Sequence, residues 1–162
     1  MSRRGQISMS DDEMTEFITS HRTVQVAVNG PDGFPHLTTL WYGVLDGKIA
    51  MWTYAKSQKV RNLERDPRLT ALVEDGDSYA QLRGVMIRGR ASMSTEKADV
   101  MAVAEKVYAA NADRFGDVQY QGGALNRESL DVLEAMSAKR IAIVVEPEDI
   151  VSWDHRKLGG GY

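Results

Sequence analysis

A cluster of basic and hydroxyl side chains at residues 56–62 is the part of the sequence best suited to bind an anion. Ser57 is a plausible N-cap of a short helix, which places Lys59 in the first turn and Asn62 one turn further on the same face. Lys56 and Arg61 add positive charge, and residues 56–63 contain no carboxylate. Helix-start N–H groups, the helix dipole and a lysine together bind phosphate, so the segment predicts a phosphate site.

The chain's other predicted helices begin with acidic side chains. Asp11, Asp12 and Glu13 open the first, Glu96 the third and Glu128 the last. A helix start carries partial positive charge, so each cation placed there costs about 0.3–1 kcal/mol. A bound anion would remove that cost at residues 56–62. The pattern alone leaves open the alternative that these cations are solvated surface charges.

Two strands joined by a tight turn are predicted to lead into the basic segment. The β-branched and aromatic runs His36–Val44 and Lys48–Tyr54 flank Asp46-Gly47. Both turn residues tolerate positive φ, which favours a two-residue hairpin. The second strand of this hairpin therefore ends where the basic turn begins.

The remaining segments follow an order typical of an antiparallel barrel. A capping box of Ser10 and Glu13 opens a first helix, and a strand begins at Thr23. Further predicted elements are the helix Gln58–Asp66, the strands Arg68–Glu74 and Gln81–Met93, the helices Glu96–Asp113 and Arg127–Lys139 with Asn126 as N-cap, and last-strand segments Ile141–Val145 and Ile150–Trp153 separated by Glu146-Pro147-Glu148. Six or seven strands joined mostly by hairpins predict a mainly β fold, a barrel decorated by helices, in one domain over residues 1–162.

The composition excludes several classes of function. A net charge of −3 argues against nucleic-acid binding, which typically needs a strongly basic domain. The absence of cysteine excludes disulfides and a thiol nucleophile, and it is compatible with a reducing compartment, so a cytoplasmic location is expected. No membrane span or signal peptide is predicted. His21, His36 and His155 have no ligand spacing, so no metal site is predicted.

The basic turn and its flanking strands resemble the pyridoxamine phosphate oxidase-like, flavin-binding split-barrel superfamily. The matching motifs are Trp52-Thr53, Ser57-Gln58-Lys59, Asp66-Pro67-Arg68, Gly33-x-Pro35-His36 and the strand Leu37-Thr38-Thr39-Leu40-Trp41. The likeness is good over residues 10–95 and loose beyond them. It implies a six- to seven-stranded antiparallel split β-barrel, a phosphorylated flavin-type cofactor, and a homodimer with the cofactor groove at the subunit interface.

Departures from the vitamin B6 oxidases direct the prediction to another branch of that superfamily. Gln58 and Thr38 stand where those enzymes carry phosphate-binding arginines, Gly43 stands where they carry a substrate-phosphate lysine, and their C-terminal arginine- and histidine-rich segment is absent. The runs 59–63 and 65–68 are more similar to the branch that uses the deazaflavin coenzyme F420. The phosphate and acidic tail of F420 would suit the basic turn, and FMN remains the alternative cofactor.

The resemblance also implies which residues form the site. They are Thr38, Thr39, Leu40 and Trp41 at the ring edge, Met51, Trp52 and Thr53 behind the ring and ribityl chain, and Ser57, Lys59 and Asn62 at the phosphate, with Lys56 and Arg61 for the other acidic groups. For Trp41 and Trp52 the alternative is plain core packing. The terminal segment with Trp153 and Lys157 is predicted to reach toward the groove, although Gly159–Gly161 equally fit a frayed end.

The implied activity is hydride transfer to a small organic acceptor, such as an activated double bond or a quinone. The cofactor supplies the hydride chemistry in enzymes of this kind, so no side chain is predicted to act as acid or base. The alternatives are an FMN-dependent oxidoreductase, a protein that binds the cofactor without turnover, and a barrel whose role is protein interaction.

Overall fold

Seven antiparallel strands form one curled sheet in the computed structural model, which describes residues 3–112 and 127–159. The strands are β1 (Thr23–Asn29), β2 (Pro35–Trp41), β3 (Gly43–Leu45), β4 (Lys48–Tyr54), β5 (Arg68–Asp75), β6 (Arg83–Ser94) and β7 (Arg140–Asp154), in the order β2-β1-β5-β6-β7-β4-β3. The α-helices are α1 (Arg3–Ile7), α2 (Asp11–Ser20), α3 (Gln58–Arg65), α4 (Lys97–Ala110) and α5 (Arg127–Ser137). Short 3₁₀ turns cover Tyr79–Gln81 and His155–Leu158. The predicted split barrel with helices is confirmed.

Alternation along the strands separates an inner face from an outer face. On β1, Val24, Val26 and Val28 are buried and pack inside the barrel. The α3 side chains Val60 and Leu63 join the same core, so this helix lies against the barrel interior. Helix α4 instead packs on the outer face of the sheet, where its apolar stripe meets alternate residues of β4 and β7.

The predicted strand His36–Val44 is wrong as a single element, because the chain bends at Tyr42. Residues 35–41 pair with β1, whereas residues 43–45 pair with β4 at the opposite end of the strand order. Tyr42 is buried, its N–H donates to the Arg22 carbonyl at 3.3 Å, and its hydroxyl donates to the Ile18 carbonyl. These anchors pull the chain away from β4.

The bend opens a gap in the barrel wall. Gly43 faces Ala50 in the β3–β4 ladder, and an unbroken continuation of that ladder would set Trp41 against Trp52. Because β2 pairs with β1 instead, no described strand pairs with the free edge of residues 51–54. We call this gap between residues 38–41 of β2 and residues 51–54 of β4 the split.

The last strand also differs from its prediction. Glu146-Pro147-Glu148 was expected to interrupt it, yet β7 is continuous and carries a β-bulge. Gly89 faces Pro147 while Arg88 faces Asp149, which leaves Glu148 as the extra residue. A Cβ on Gly89 would lie 2.0 Å from the Glu146 carbonyl oxygen, so glycine permits the close approach. The bulge accommodates a proline that would disrupt a regular ladder.

The predicted starts of α2 and α4 agree with the structure to within one residue. The capping box of α2 is confirmed, since the Ser10 hydroxyl and the Glu13 carboxylate each accept the other's backbone N–H. Helix α4 begins one residue after Glu96, and the predicted N-cap Asn126 lies outside the described residues. Within the described ranges, no helix is long and apolar enough to cross a membrane.

Candidate functional site

The ammonium group of Lys59 is buried at the start of α3. The residue is only 8% exposed, and its Nζ donates to Thr53 Oγ1 at 3.1 Å. Thr53 lies on the same inner face of β4 as the core residue Met51, so α3 directs its lysine toward the barrel interior. No carboxylate pairs with Lys59 among the described residues, and burial lowers the pKa of its ammonium group. The site therefore holds a cation without its counter-ion.

Polar atoms without partners are a second feature of this region. Asn62 is 1% exposed, its Oδ1 accepts from Gln58 Nε2 at 3.0 Å, and its Nδ2 has no hydrogen-bond partner within residues 3–112 and 127–159. Among the described residues, the buried hydroxyl of Ser57 also lacks a partner, as does that of Thr38 on β2. Each such group costs about 1–3 kcal/mol unless a partner arrives. The amide donor of Asn62, the hydroxyl of Ser57 and the ammonium of Lys59, all at the start of α3, fit a ligand rich in acceptor oxygens, such as a phosphate.

The structure separates the cations of the basic turn. Lys59 points inward, whereas Lys56 and Arg61 are exposed. Ser57 has the backbone conformation of an N-cap, with φ −70° and ψ 154°, but its side chain makes no capping hydrogen bond. The position predicted for Ser57 is confirmed, and the capping bond that usually accompanies it is absent.

The Asp66-Pro67-Arg68 motif ends α3 and starts β5. The Asp66 carboxylate accepts from Arg68 Nε at 2.9 Å and from Arg68 Nη2 at 2.7 Å, and also from Asn29 Nδ2 at 2.8 Å. These bonds, led by those from Arg68, hold the pKa of the Asp66 carboxyl well below its usual range. This part of the resemblance has a structural role, because it fixes the exit of the helix that carries Lys59.

A cavity of about 390 Å³ opens beside the split. Its described lining residues are Thr39, Leu40, Trp41, Trp52, Ala104, Val107, Tyr108, Leu133, Met136 and Arg140. Four of these were predicted to contact a cofactor ring, so the fold brings residues from both sides of the split to one cavity. Whether they bind a ring stays a prediction.

The other predicted ring contacts lie on the inner side of the same strands. Met51 is fully buried in the barrel core, and Thr53 lies against Lys59. Strand alternation explains this division, since Trp52 between them faces outward toward α4 and the cavity. The predicted site thus has two parts: an inner cation site at Lys59 and an outer cavity at Trp41 and Trp52.

The two C-terminal candidates occupy another part of the subunit. The ring of Trp153 packs over Gly84, where a Cβ would lie 2.3 Å from the indole. Lys157 Nζ donates to Glu13 Oε2 at 2.6 Å and to the Ser8 carbonyl at 2.7 Å. Neither residue is among the described lining residues of the split cavity. These two residues could contact a cofactor only if the predicted groove is shared with a second copy of the chain.

Sequence reasoning missed Arg140. Its guanidinium lies over two rings, 4.4 Å from the Trp52 centroid and 4.5 Å from the Tyr54 centroid. Arg140 starts β7 and pairs with Tyr54 on β4, a long-range register that no local pattern displays. The available signal was the pair of cations Lys139-Arg140 directly before the apolar run 141–145.

Comparison with known proteins identifies the family. A family model described as pyridoxamine 5'-phosphate oxidase matches residues 10–154. A solved structure of the conserved hypothetical protein Rv2991 from Mycobacterium tuberculosis is 40% identical, with 100% of this chain and 95% of that one covered and a TM-score of 0.87. The chain therefore belongs to the pyridoxamine 5'-phosphate oxidase family. No curated protein matches it.

More distant structures share the fold alone. The heme storage protein HutZ from Vibrio cholerae is 18% identical with a TM-score of 0.62, over 88% of this chain and 94% of that one. A structure described as an F420 reductase is 23% identical with a TM-score of 0.55, over 80% of this chain and 88% of that one. Because each is less than 25% identical, these structures show a shared fold and assign no function to this chain.

Proposed function

We propose that this protein is an F420-dependent reductase that binds the cofactor at the split and passes hydride to a small organic acceptor. The observation that carries the proposal is the inner cation site: a buried Lys59 to which no described residue supplies a counter-ion, on the same helix start as an Asn62 amide and a Ser57 hydroxyl that no described residue pairs. These groups would hold an anionic group of the cofactor. Burying a lone cation is costly, so the site is best explained by an anion that joins it.

The two sides of the split would position the cofactor's ring. The free edges of residues 38–41 and 51–54 offer the ring backbone donors and acceptors, and Trp41 and Trp52 form an aromatic wall between the split and the outer cavity. The cofactor, when bound, supplies the hydride chemistry. The protein's contribution is to orient the ring, exclude water from it and admit the acceptor beside it. No acid or base is assigned to a side chain.

Charge distribution supports F420 over FMN. Lys56 and Arg61 are exposed on either side of the buried lysine, and neither forms an ion pair among the described residues. An acidic tail extending beyond the phosphate would meet them, whereas FMN carries no such tail. FMN remains the alternative, because either phosphate would suit Lys59.

A true vitamin B6 oxidase activity is disfavoured by packing as well as by sequence. Gly43 stands where those enzymes carry a lysine for the substrate phosphate. A Cβ at this position would lie 2.5 Å from the backbone carbon of Lys106 in α4. The helix therefore occupies the space that such a side chain would need.

The test is a titration of the purified protein with F420, FMN and FAD, followed by cofactor fluorescence. We expect F420 to bind in the low-micromolar range, roughly −8 kcal/mol, and Lys59→Met to weaken that binding. Lys106→Met, which removes an exposed lysine on α4, is the matched control and should bind like the wild type. Saturable binding of none of the three cofactors would overturn the proposal.

Turnover separates a reductase from a cofactor-binding protein. Oxidation of reduced F420, measured by its absorbance across a panel of quinones and conjugated enones, is expected for the reductase. Tight binding with no oxidation by any acceptor would favour the non-catalytic alternative. Unchanged function in Lys59→Glu would favour the protein-interaction alternative.

We also propose that two copies of the chain associate along β2. Phe34 is 77% and Leu37 62% exposed next to the free edge of that strand, and large apolar side chains in this position are typical of an interface. Light scattering should give twice the 18.0 kDa chain mass. Leu37→Glu should shift the protein toward the monomer, and a wild-type monomer at high micromolar concentration would contradict the proposal.

A further inference from the structure

Arg140 is the only charged residue among the described lining residues of the split cavity. Its backbone pairs with Tyr54, and its guanidinium lies over the rings of Trp52 and Tyr54. Two aromatic contacts from one neighbouring strand hold the cation in a defined place, so it need not be ordered when a ligand arrives.

The guanidinium has unused hydrogen-bonding capacity. Its Nε is buried without a hydrogen-bond partner, and no ion pair to Arg140 occurs in the part of the chain that the structure describes. Asp131 and Glu134 line a neighbouring cavity that Arg140 also borders, but Glu134 pairs with Lys97 instead. The split cavity itself has no acidic side chain among its described lining residues.

The rest of the cavity is suited to a flat apolar body. Trp41, Trp52 and Tyr108 contribute aromatic surface, and Val107 and Leu133 contribute aliphatic surface. A volume of about 390 Å³ lies at the small end of ligand pockets. A planar molecule with one acidic group would satisfy both the walls and the cation.

We infer that the split cavity binds a small aromatic or conjugated carboxylate and that Arg140 receives its carboxylate group. The inference rests on the proposed function and deepens it, since such a molecule would be the hydride acceptor, held in the outer cavity beside a cofactor ring that lies in the split. Guanidinium groups bind carboxylates through paired hydrogen bonds, which gives direction as well as affinity. The β-carbon of a double bond conjugated to the carboxylate would accept the hydride and the α-carbon a proton from water, so that the double bond is reduced as the cofactor is oxidised. Arg140 would thus select the acceptor and orient it.

The experiment compares a matched acid and amide in the cofactor-free protein. Binding of 2-naphthoate and 2-naphthamide is followed by tryptophan fluorescence, because Trp41 and Trp52 line the cavity. We expect the acid to bind about tenfold to a hundredfold more tightly than the amide. Arg140→Met should bind both molecules with the affinity that the wild type shows for the amide.

Two further variants identify the cause. Arg88→Met removes an exposed arginine that pairs with Asp149 on another part of the sheet, and it should retain the preference for the acid. Arg140→Lys should retain part of it, because a point cation remains without the paired donors. A purely structural role for Arg140 predicts equal losses for acid and amide, together with a lower melting temperature, and would overturn the inference.

The remaining outcomes separate this inference from the proposed function. Equal wild-type binding of acid and amide would overturn it whatever the cofactor. So would an Arg140→Met variant that keeps its preference for naphthoate but loses affinity for F420, since Arg140 would then serve the cofactor's acidic tail. Lys59→Met should leave naphthoate binding unchanged. Acid selectivity that depends on Arg140, in a protein that binds no flavin-type cofactor, would uphold the inference and refute only the proposed function.

Discussion

Helices α2 and α3 both have a serine at the N-cap position, but only in α2 do side chains make the capping hydrogen bonds. The backbone at Ser10 (φ −71°, ψ 170°) is close to that at Ser57 (φ −70°, ψ 154°). The Ser10 hydroxyl accepts from the Glu13 N–H at 3.3 Å, and the Glu13 carboxylate accepts from the Ser10 N–H at 2.6 Å. Ser57 makes no capping bond, and no acidic residue occupies the first turn of α3.

The difference shows which helix start is available for a ligand. In α2, carboxylates offset the positive end of the dipole and the serine satisfies a backbone donor. In α3, a buried lysine adds to the positive end, and nearby polar atoms remain unpaired. A local rule broken without internal compensation is expected at functional sites. The comparison supports the proposal that an anion binds at the start of α3.

The largest expected effect is the loss of cofactor affinity in Lys59→Met. Removing a charge-assisted contact should weaken binding by about 1–3 kcal/mol, or about 5- to 150-fold in Kd. The free protein should be as stable as the wild type or more so, because a lone buried cation is replaced by an apolar side chain of similar length. Titration calorimetry and thermal melts measure the two quantities. A large loss of stability would show that Lys59 has a structural role instead.

The two serines should differ in what their removal costs. Ser10→Ala should lower the free energy of unfolding by about 1 kcal/mol, because the capping bond to Glu13 is lost. Ser57→Ala should not lower the free energy of unfolding, since no hydrogen bond is lost and a buried unpaired hydroxyl is removed, while it weakens cofactor binding. Urea denaturation of both variants gives the comparison. Equal destabilisation would mean that Ser57 caps α3 in solution.

The sequence predicted most of the strands and the basic start of α3 better than it predicted the wall of the site. Alternation of Val24, Val26 and Val28 is a local signal, and so is the contrast between the two helix starts. The bend at Tyr42 is not local, because it depends on bonds to the Arg22 and Ile18 carbonyls. Arg140 was missed for the same reason: only the β4–β7 register places it over Trp52.

A carboxylate added to α3 should make its start behave more like that of α2. Gln58 is exposed in the first turn, so Gln58→Asp should stabilise the free protein by about 0.3–1 kcal/mol through the dipole. The same charge should repel the anionic cofactor and raise its Kd. Gln58→Asn is the control, because both variants alter the hydrogen bond to Asn62 but only Gln58→Asp adds a negative charge. Tighter cofactor binding in Gln58→Asp would contradict an anion site at this helix start.

The smallest expected effect is in the pH dependence of stability, which reports the ionisation of Lys59 in the ligand-free protein. Burial lowers the pKa of Lys59 in the folded state below its ordinary value of 10.5. At pH values between the folded-state pKa and 10.5, the unfolded chain binds more protons than the folded protein. The free energy of unfolding should therefore rise with pH over this range. Lys59→Met should lack this contribution.

Subtracting the Lys59→Met profile from the wild-type profile isolates the lysine. Burial raises the pKa of the Tyr42 hydroxyl, which opposes stability at high pH, but Tyr42 is present in both proteins and cancels in the difference. A saturating anionic cofactor should remove the rise, because an anion beside the ammonium restores its pKa. Superimposable profiles for the two free proteins would mean that Lys59 is solvated. The start of α3 would then be that of an ordinary surface helix, and its difference from α2 would not indicate a ligand site.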